Sequence, residues 1–142
     1  MTINAKWAAA GFDWADAYEW HRQSFTPTNA RKWREAGFDW AAAARWRGER
    51  FTLEAARRWI DHDFAIGEAL AWKAHGFGVV GAWRWLAAGF LPSEAATWRA
   101  LGFAPSEAAA WRALGFAPSE AATWRARGVT PDAYWGKRRR PR

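Results

Sequence analysis

A tryptophan recurs at every thirteenth residue along almost the whole chain. The ten members of this register are Trp7, Trp20, Trp33, Trp46, Trp59, Trp72, Trp85, Trp98, Trp111 and Trp124. A phenylalanine stands five residues after each of the first nine, from Phe12 to Phe116, and Val129 takes that place after the tenth. The unit is nearly identical in residues 98–110 and 111–123. The chain is therefore a tandem array of one short structural element.

Each unit carries the start and stop signals of one helix. With the Trp as position 1, position 5 is usually Gly, position 7 is often Asp or Thr, and position 8 is often Pro. Asp or Thr caps free amide groups, Pro suits the first helical position, and Gly takes the left-handed conformation that ends a helix. The pattern predicts a helix of about ten residues from position 8 to position 4 of the next unit. In the Schellman motif that such a Gly forms, the Phe packs on the Trp.

Helices this short are marginal alone in water, so they must stack on one another. The chain resembles α-solenoid repeat proteins as a class, in which packing between neighbouring repeats carries the stability. We predict an all-α solenoid, or superhelix, of about ten 13-residue single-helix repeats with about eleven short helices and no strands. A ladder of helix pairs is the alternative, because residues 10–15 and 36–41 share the sequence AGFDWA. Residues 1–136 are predicted to form a single array, and residues 137–142 a basic disordered tail.

Composition excludes several classes of protein. The chain has no cysteine, which removes disulfides and thiolate metal sites. It has no apolar run of membrane-spanning length, and its first residues lack the apolar core of a signal peptide. These features predict a cytoplasmic protein with no membrane partner. The excess of Arg over Lys, with abundant Ala and Gly, is typical of GC-rich genomes such as those of actinobacteria and their phages.

No catalytic arrangement of residues is recognisable. Ser–His–Asp order, a Gly-rich phosphate loop and the HExxH motif are all missing from the sequence. The nearest approach to a metal site is Asp61-His62-Asp63 with His75, since both His residues occupy position 4 of adjacent units. Imidazole and carboxylate groups ligate zinc, but a pair of His residues on short helices is usually no site. The sequence predicts a binding protein with no enzymatic activity, cofactor or metal.

Positive charge is concentrated in two places. Residues 20–60 hold nine Lys or Arg against four Asp or Glu, and a second group of cations ends the chain. Lys32, Arg45 and Arg58 occupy position 13 of successive units, so stacked repeats would align them in a stripe. Regularly spaced cations suit a phosphate backbone, through charge neutralisation and counterion release. The alternative is a solvated helix face whose cations suit the carboxyl ends of the helices. The candidate nucleic-acid contacts are Arg31, Lys32, Arg34, Arg45, Arg47, Arg57 and Arg58, with Lys137, Arg138, Arg139 and Arg140 in the tail.

Arginine at position 2 has a second interpretation. It recurs at Arg99, Arg112 and Arg125, where the surroundings are not basic. A structural role is favoured for this position, either stacking on a neighbouring Trp or pairing with a Glu of the next unit.

The leading functional hypothesis is double-stranded DNA binding with little sequence specificity. The main alternative is a protein-interaction scaffold, whose partner would be an acidic protein or a second copy of the chain. A scaffold predicts an exposed apolar patch around Trp83 and residues 77–80, whereas Trp14 and Trp40, at position 8, are predicted to lie in the core. A third hypothesis is an artificial or recently expanded array with no evolved ligand.

Overall fold

The structure, a computed structural model, describes residues 5–139, with side chains through residue 135. This part of the chain contains eleven α-helices and no strand. The helices are α1 (Ala5–Ala9), α2 (Trp14–Arg22), α3 (Pro27–Glu35), α4 (Trp40–Gly48), α5 (Leu53–Asp61), α6 (Ile66–Ala74), α7 (Val79–Ala87), α8 (Pro92–Ala100), α9 (Pro105–Ala113), α10 (Pro118–Ala126) and α11 (Pro131–Arg139). The predicted all-α array of single-helix repeats is confirmed. The chain divides into two compact units, residues 1–66 and 67–142.

The helices begin at position 8, as predicted, and the two units cap their helices differently. In residues 1–66 a side chain at position 7 accepts a backbone N–H. Thr52 Oγ1, for example, accepts from Ala55 N at 3.1 Å. In residues 67–142 the Glu at position 10 reaches back in α8 and α10, so that the Leu91 N–H donates to Glu94 Oε1 at 3.0 Å. Helix α11 of the same unit is capped as in the first unit, since Thr130 Oγ1 accepts from Ala133 N at 3.1 Å. Each device satisfies one of the free amide groups at a helix start.

Each helix ends at position 3, one residue earlier than predicted, because position 4 is the C-cap. The chain then closes as a Schellman motif. The Phe25 N–H donates to Trp20 O at 3.2 Å, and the Ser24 N–H donates to His21 O at 2.9 Å. Position 5 is left-handed in every repeat, including three non-glycine residues, Ser24, Arg50 and Asp63, with φ of 66°, 68° and 64°. All three lie in residues 1–66.

The core is built from the periodic aromatic residues and a small partner. Nine Trp residues, from Trp7 to Trp111, are buried, and nine Ala residues at position 11 have no exposed surface. Each Trp forms an edge-on pair with the Phe that follows it. The ring centroids are 4.9 Å apart for Trp20 and Phe25 and 5.1 Å apart for Trp98 and Phe103. The predicted contact between the two aromatic residues is confirmed, and it recurs in the nine repeats that contain the Phe.

The prediction of a core position for Trp14 is wrong. Its side chain is 61% exposed, and Trp40 at the same position of α4 is half-buried. The reason is the order of packing. Trp40 lines a pocket together with Asp16 and Trp20 of α2, two helices earlier. Within the described residues, α2 has no helix two places before it, so Trp14 stays uncovered.

Helix α11 runs to Arg139, three residues past the predicted start of the tail. Tyr134 replaces the Ala of position 11, and its ring centroid lies 4.8 Å from that of Phe116 and 5.4 Å from that of Trp124. Arg140 lies outside the described residues, as do the side chains of Lys137, Arg138 and Arg139.

Candidate nucleic-acid interface

Three exposed cations stand at the same position of three consecutive helices. Lys32, Arg45 and Arg58 directly precede the buried Trp of α3, α4 and α5, and we call them the cation ladder. Helix α3 contacts α4, and α4 contacts α5, so the ladder crosses neighbouring helices of one compact unit. Among the described residues, none of the three side chains forms an ion pair or hydrogen bond. The ladder is therefore exposed positive charge that the fold itself does not neutralise.

The first ladder cation lies in a cleft between α3 and α5. Lys32 and Asn29 form one wall, and Thr52, Leu53 and Glu54 at the start of α5 form the other. The amino end of a helix carries a partial positive charge, which adds to that of the Lys32 ammonium. The negative charge of the Glu54 carboxylate partly offsets these two positive charges. The cleft can accommodate an anionic group, with Lys32 as its charged contact.

Arginine at position 2 has a different environment, shown by Arg47. Its guanidinium donates to the carbonyl oxygens of Gln23 and Ser24, at the carboxyl end of α2. Its Cζ lies 3.6 Å from the centroid of the Phe25 ring. Burial lowers the pKa of the Arg47 guanidinium below its ordinary value. The side chain thus satisfies carbonyl groups at the negative end of the helix two places earlier.

The same arrangement, which we call the arginine clamp, recurs across the array. It is formed by Arg34, Arg47, Arg99, Arg112 and Arg125. The stacked ring is the Phe two repeats earlier and not the predicted Trp. The paired Glu also belongs to an earlier repeat, since Arg125 Nε lies 3.6 Å from Glu107 Oε1. The structural interpretation of position 2 is confirmed, with a different partner from the expected one.

Two further candidates also bind protein groups. Helix α5 has Ile60 at position 2, and Arg57, one turn earlier, donates to Ala36 O at 3.2 Å in its place. Arg57 Nε also lies 3.6 Å from Asp61 Oδ1. Arg31 Nε donates to Glu35 Oε1 at 2.8 Å. The seven predicted residues with described side chains therefore separate into the three exposed cations of the ladder and four arginines that contact other groups of the protein.

Arg50 is an exposed cation that the sequence-based set missed. It follows α4 in the left-handed conformation, and its side chain forms no hydrogen bond or ion pair among the described residues. The sequence marked this position only as a departure from Gly. The available signal was a basic residue at position 5, where most repeats have Gly, within a basic segment of the chain.

The described residues contain no group of three or more His, Cys, Asp or Glu side chains arranged to hold a metal ion. His62 Nδ1 lies 2.9 Å from Arg58 O, a contact within one helix end. No described helix combines the length and the hydropathy needed to cross a bilayer.

No protein-family model, no curated protein and no solved structure matches the chain. The charges and contacts of its own residues are therefore what supports a function.

Proposed function

We propose that the protein binds nucleic acid, specifically double-stranded DNA, with little sequence specificity and without catalysis. The observation that carries this proposal is the cation ladder of Lys32, Arg45 and Arg58. Its three charges lie on contacting helices and have no ion pair or side-chain hydrogen bond in the part of the chain that the structure describes. Nearby arginines are bound to carbonyl groups, carboxylates or aromatic rings. The proposal includes a cytoplasmic location, the default for a chain whose sequence shows no signal-peptide core.

The energetics favour an anionic ligand at this surface. The ladder cations lie in the last turns of α3, α4 and α5, where the helix dipole favours a positive charge. Like charges on neighbouring helices also repel one another, and the helix dipole does not remove that repulsion. Phosphate groups remove that repulsion and release condensed counterions on binding. The exposed Arg50 and the cations of residues 137–142 add sequence-independent attraction.

A duplex suits this surface better than a single strand. Single-strand binders combine a positive groove with exposed aromatic rings on which bases stack. Residues 27–61, all described by the structure, contain no fully exposed aromatic side chain: Trp40 is half-buried, and the exposed large apolar residue is Ile60. Contacts to phosphate oxygens position a protein on the duplex and carry no direct sequence information.

A charge-matched pair of variants tests the proposal. In the first, Lys32→Ala, Arg45→Ala and Arg58→Ala remove the ladder. In the second, three exposed cations outside it are removed by Arg22→Ala, Arg84→Ala and Arg127→Ala. Both variants lose three positive charges.

We expect the ladder variant to bind a random duplex at least about tenfold more weakly at low salt. Its plot of log affinity against log salt should be shallower by about 3, one for each lost phosphate contact. The matched variant should lose clearly less affinity, and its salt slope should change clearly less. Equal losses in the two variants would show that net charge alone governs binding.

An exposed apolar stripe on α7 favours a second candidate, a protein-interaction scaffold. Val80 and Trp83 are each 49% exposed, and Leu86 is 40% exposed. Trp83 also lines a cleft with Ala87 and Pro105. Exposed aromatic residues beside a cleft are typical anchors of protein interfaces. Peptides selected from a random library on this protein should lose at least about tenfold in affinity on Trp83→Ala. Selected peptides that bind the unchanged protein and the Trp83→Ala variant equally would exclude this stripe as a peptide-binding surface.

A further inference from the structure

Helices α7 and α9 form the two walls of an open cleft whose lining is mainly apolar. The side chains that line it are Trp83, Arg84 and Ala87 on α7, and Ala104, Pro105 and Ser106 on α9. The volume of the cleft is about 500 Å³, and sites for small ligands have volumes of roughly 300–1,000 Å³. The Trp83 ring is 49% exposed. The cleft is therefore large enough and accessible enough to receive side chains of another molecule.

The apolar lining belongs to this cleft and not to the repeat in general. The equivalent cleft between α1 and α3 is formed by the same repeat positions and includes Lys6, Thr26 and Thr28. At position 12, where α7 has the exposed Trp83, α1 has Ala5. The cleft between α3 and α5 contains Lys32 and Glu54. Among these three clefts, the one between α7 and α9 combines an exposed aromatic ring with a wall of small apolar side chains.

The charge of the cleft comes from one cation. Arg84 is the only Asp, Glu, Lys or Arg among residues 76–93. Its side chain is exposed and forms no hydrogen bond or ion pair within the described part of the chain. Glu94 of α8 and Glu107 of α9 pair with arginines of the clamp. A carboxylate from a partner would therefore match a positive charge that the neighbouring carboxylates do not neutralise.

Two other occupants fit this charge pattern less well. A single-stranded nucleic acid needs a row of cations along its backbone in addition to a ring on which bases stack. Here Arg84 is a lone cation beside the ring. A second copy of the chain that bound through the same face would bring two Arg84 guanidinium groups into one interface, where like charges repel.

We propose that the cleft between α7 and α9 binds a segment of a partner protein in which an apolar side chain lies next to Asp or Glu. The apolar side chain packs on Trp83 and Pro105, which supply contact area. The carboxylate pairs with Arg84, whose planar guanidinium can donate two parallel hydrogen bonds and so selects acidic segments. This inference rests on the second candidate function, the protein-interaction scaffold, and adds the chemistry of its partner.

An array of random short peptides, with equal shares of Asp, Glu, Lys and Arg among apolar residues, tests the inference. It is probed with the unchanged protein, with Arg84→Glu and with Arg127→Glu, a charge-matched control at another exposed helix end. We expect the unchanged protein to select peptides rich in Asp and Glu. Arg84→Glu should bind those peptides at least about tenfold more weakly and select peptides rich in Lys and Arg. Arg127→Glu should retain the acidic set.

The outcomes separate this inference from the scaffold function. Peptides that lose affinity on Trp83→Ala but not on Arg84→Glu would overturn the acidic partner and leave the scaffold standing. If no peptide binds, or none depends on Trp83, both fail. Equal losses on Arg84→Glu and Arg127→Glu would show that net charge governs binding, which also overturns the inference. Self-association, or binding of a labelled single strand, that is lost on Trp83→Ala would assign the cleft to that occupant and overturn the proposal.

Discussion

The guanidinium of Arg112 lies flat against the side chain of Phe90, with its Cζ 3.8 Å from the ring centroid. Phe90 has no exposed surface. Arg112 Nη2 also donates to Gly89 O at 3.0 Å, at the carboxyl end of α7. One side chain of α9 thus covers the core aromatic and satisfies the helix end two repeats earlier.

Removing this contact should weaken the fold. Arg112→Met keeps the apolar stem but leaves carbonyl groups without a donor, and we expect the free energy of unfolding to fall by about 1–3 kcal/mol. Urea denaturation measures this change. Arg84→Met is the control, since Arg84 is exposed and its side chain forms no hydrogen bond or ion pair among the described residues. It should change stability by less than about 0.5 kcal/mol, and equal effects would show that the clamp is not stabilising.

The left-handed backbone conformation of Arg50 destabilises the fold, and a substitution by Gly would remove this effect. A non-glycine residue at its φ of 68° is less stable there than Gly. We therefore expect Arg50→Gly to raise the free energy of unfolding by about 0.5–1 kcal/mol. Glu49→Gly, at a φ of −93°, should lower it or leave it unchanged. Stabilisation by both changes would point to lost side-chain repulsion in place of backbone strain.

The periodic Trp residues should dominate stability. Trp72 is 2% exposed and its ring centroid lies 5.1 Å from that of Phe77. Trp72→Ala should cost about 3–5 kcal/mol, as expected for a large buried aromatic residue. Trp83→Ala, in the neighbouring helix, should cost less than about 1 kcal/mol, because Trp83 is 49% exposed. Thermal and urea unfolding of the two variants give the comparison, and similar losses would contradict the assignment of the core.

The two units offer opposite tests of helix capping. Thr52→Ala removes the bond to Ala55 N and should lower stability by about 1 kcal/mol. Ala104 starts α9 without a side-chain cap, in backbone conformation close to that of Thr52. Ala104→Thr should therefore raise stability by about 0.5–1 kcal/mol. The order Thr26-Pro27 shows that Thr before a helical Pro is accommodated in this repeat. A loss on Ala104→Thr would show that the caps of the two units are not interchangeable.

The local parts of the fold could be predicted from the sequence. The helix start at Pro105, the left-handed turn at Gly102 and the pairing of Trp98 with Phe103 each depend on residues a few positions apart. Such short-range signals repeat thirteen residues later, so each repeat supports the assignment of helix and turn in the others.

Contacts between repeats could not be predicted in the same way. Lys32 and Arg34 are two residues apart, so they point in directions about 200° apart around the helix. The sequence favours a structural role for Arg34 and an exposed position for Lys32, but it does not show that the partner of Arg34 belongs to the helix two places earlier. That packing decides that Arg34 binds Gly11 O whereas Lys32 stays exposed. The exposure of Trp14 has the same origin.

The most direct test of the DNA proposal is the binding of the full chain to a labelled random duplex across a salt series. A tail variant with Lys137→Ser, Arg138→Ser, Arg139→Ser and Arg140→Ser is measured beside it. If the folded array is the binding surface, both proteins bind at low salt, and log affinity falls with log salt with a slope of at least about −3 for the tail variant. If the full chain binds and the tail variant does not, residues 137–140 bind DNA as a nonspecific polycation and the folded array is not the binding surface. Absence of binding at low salt by both proteins would contradict the account.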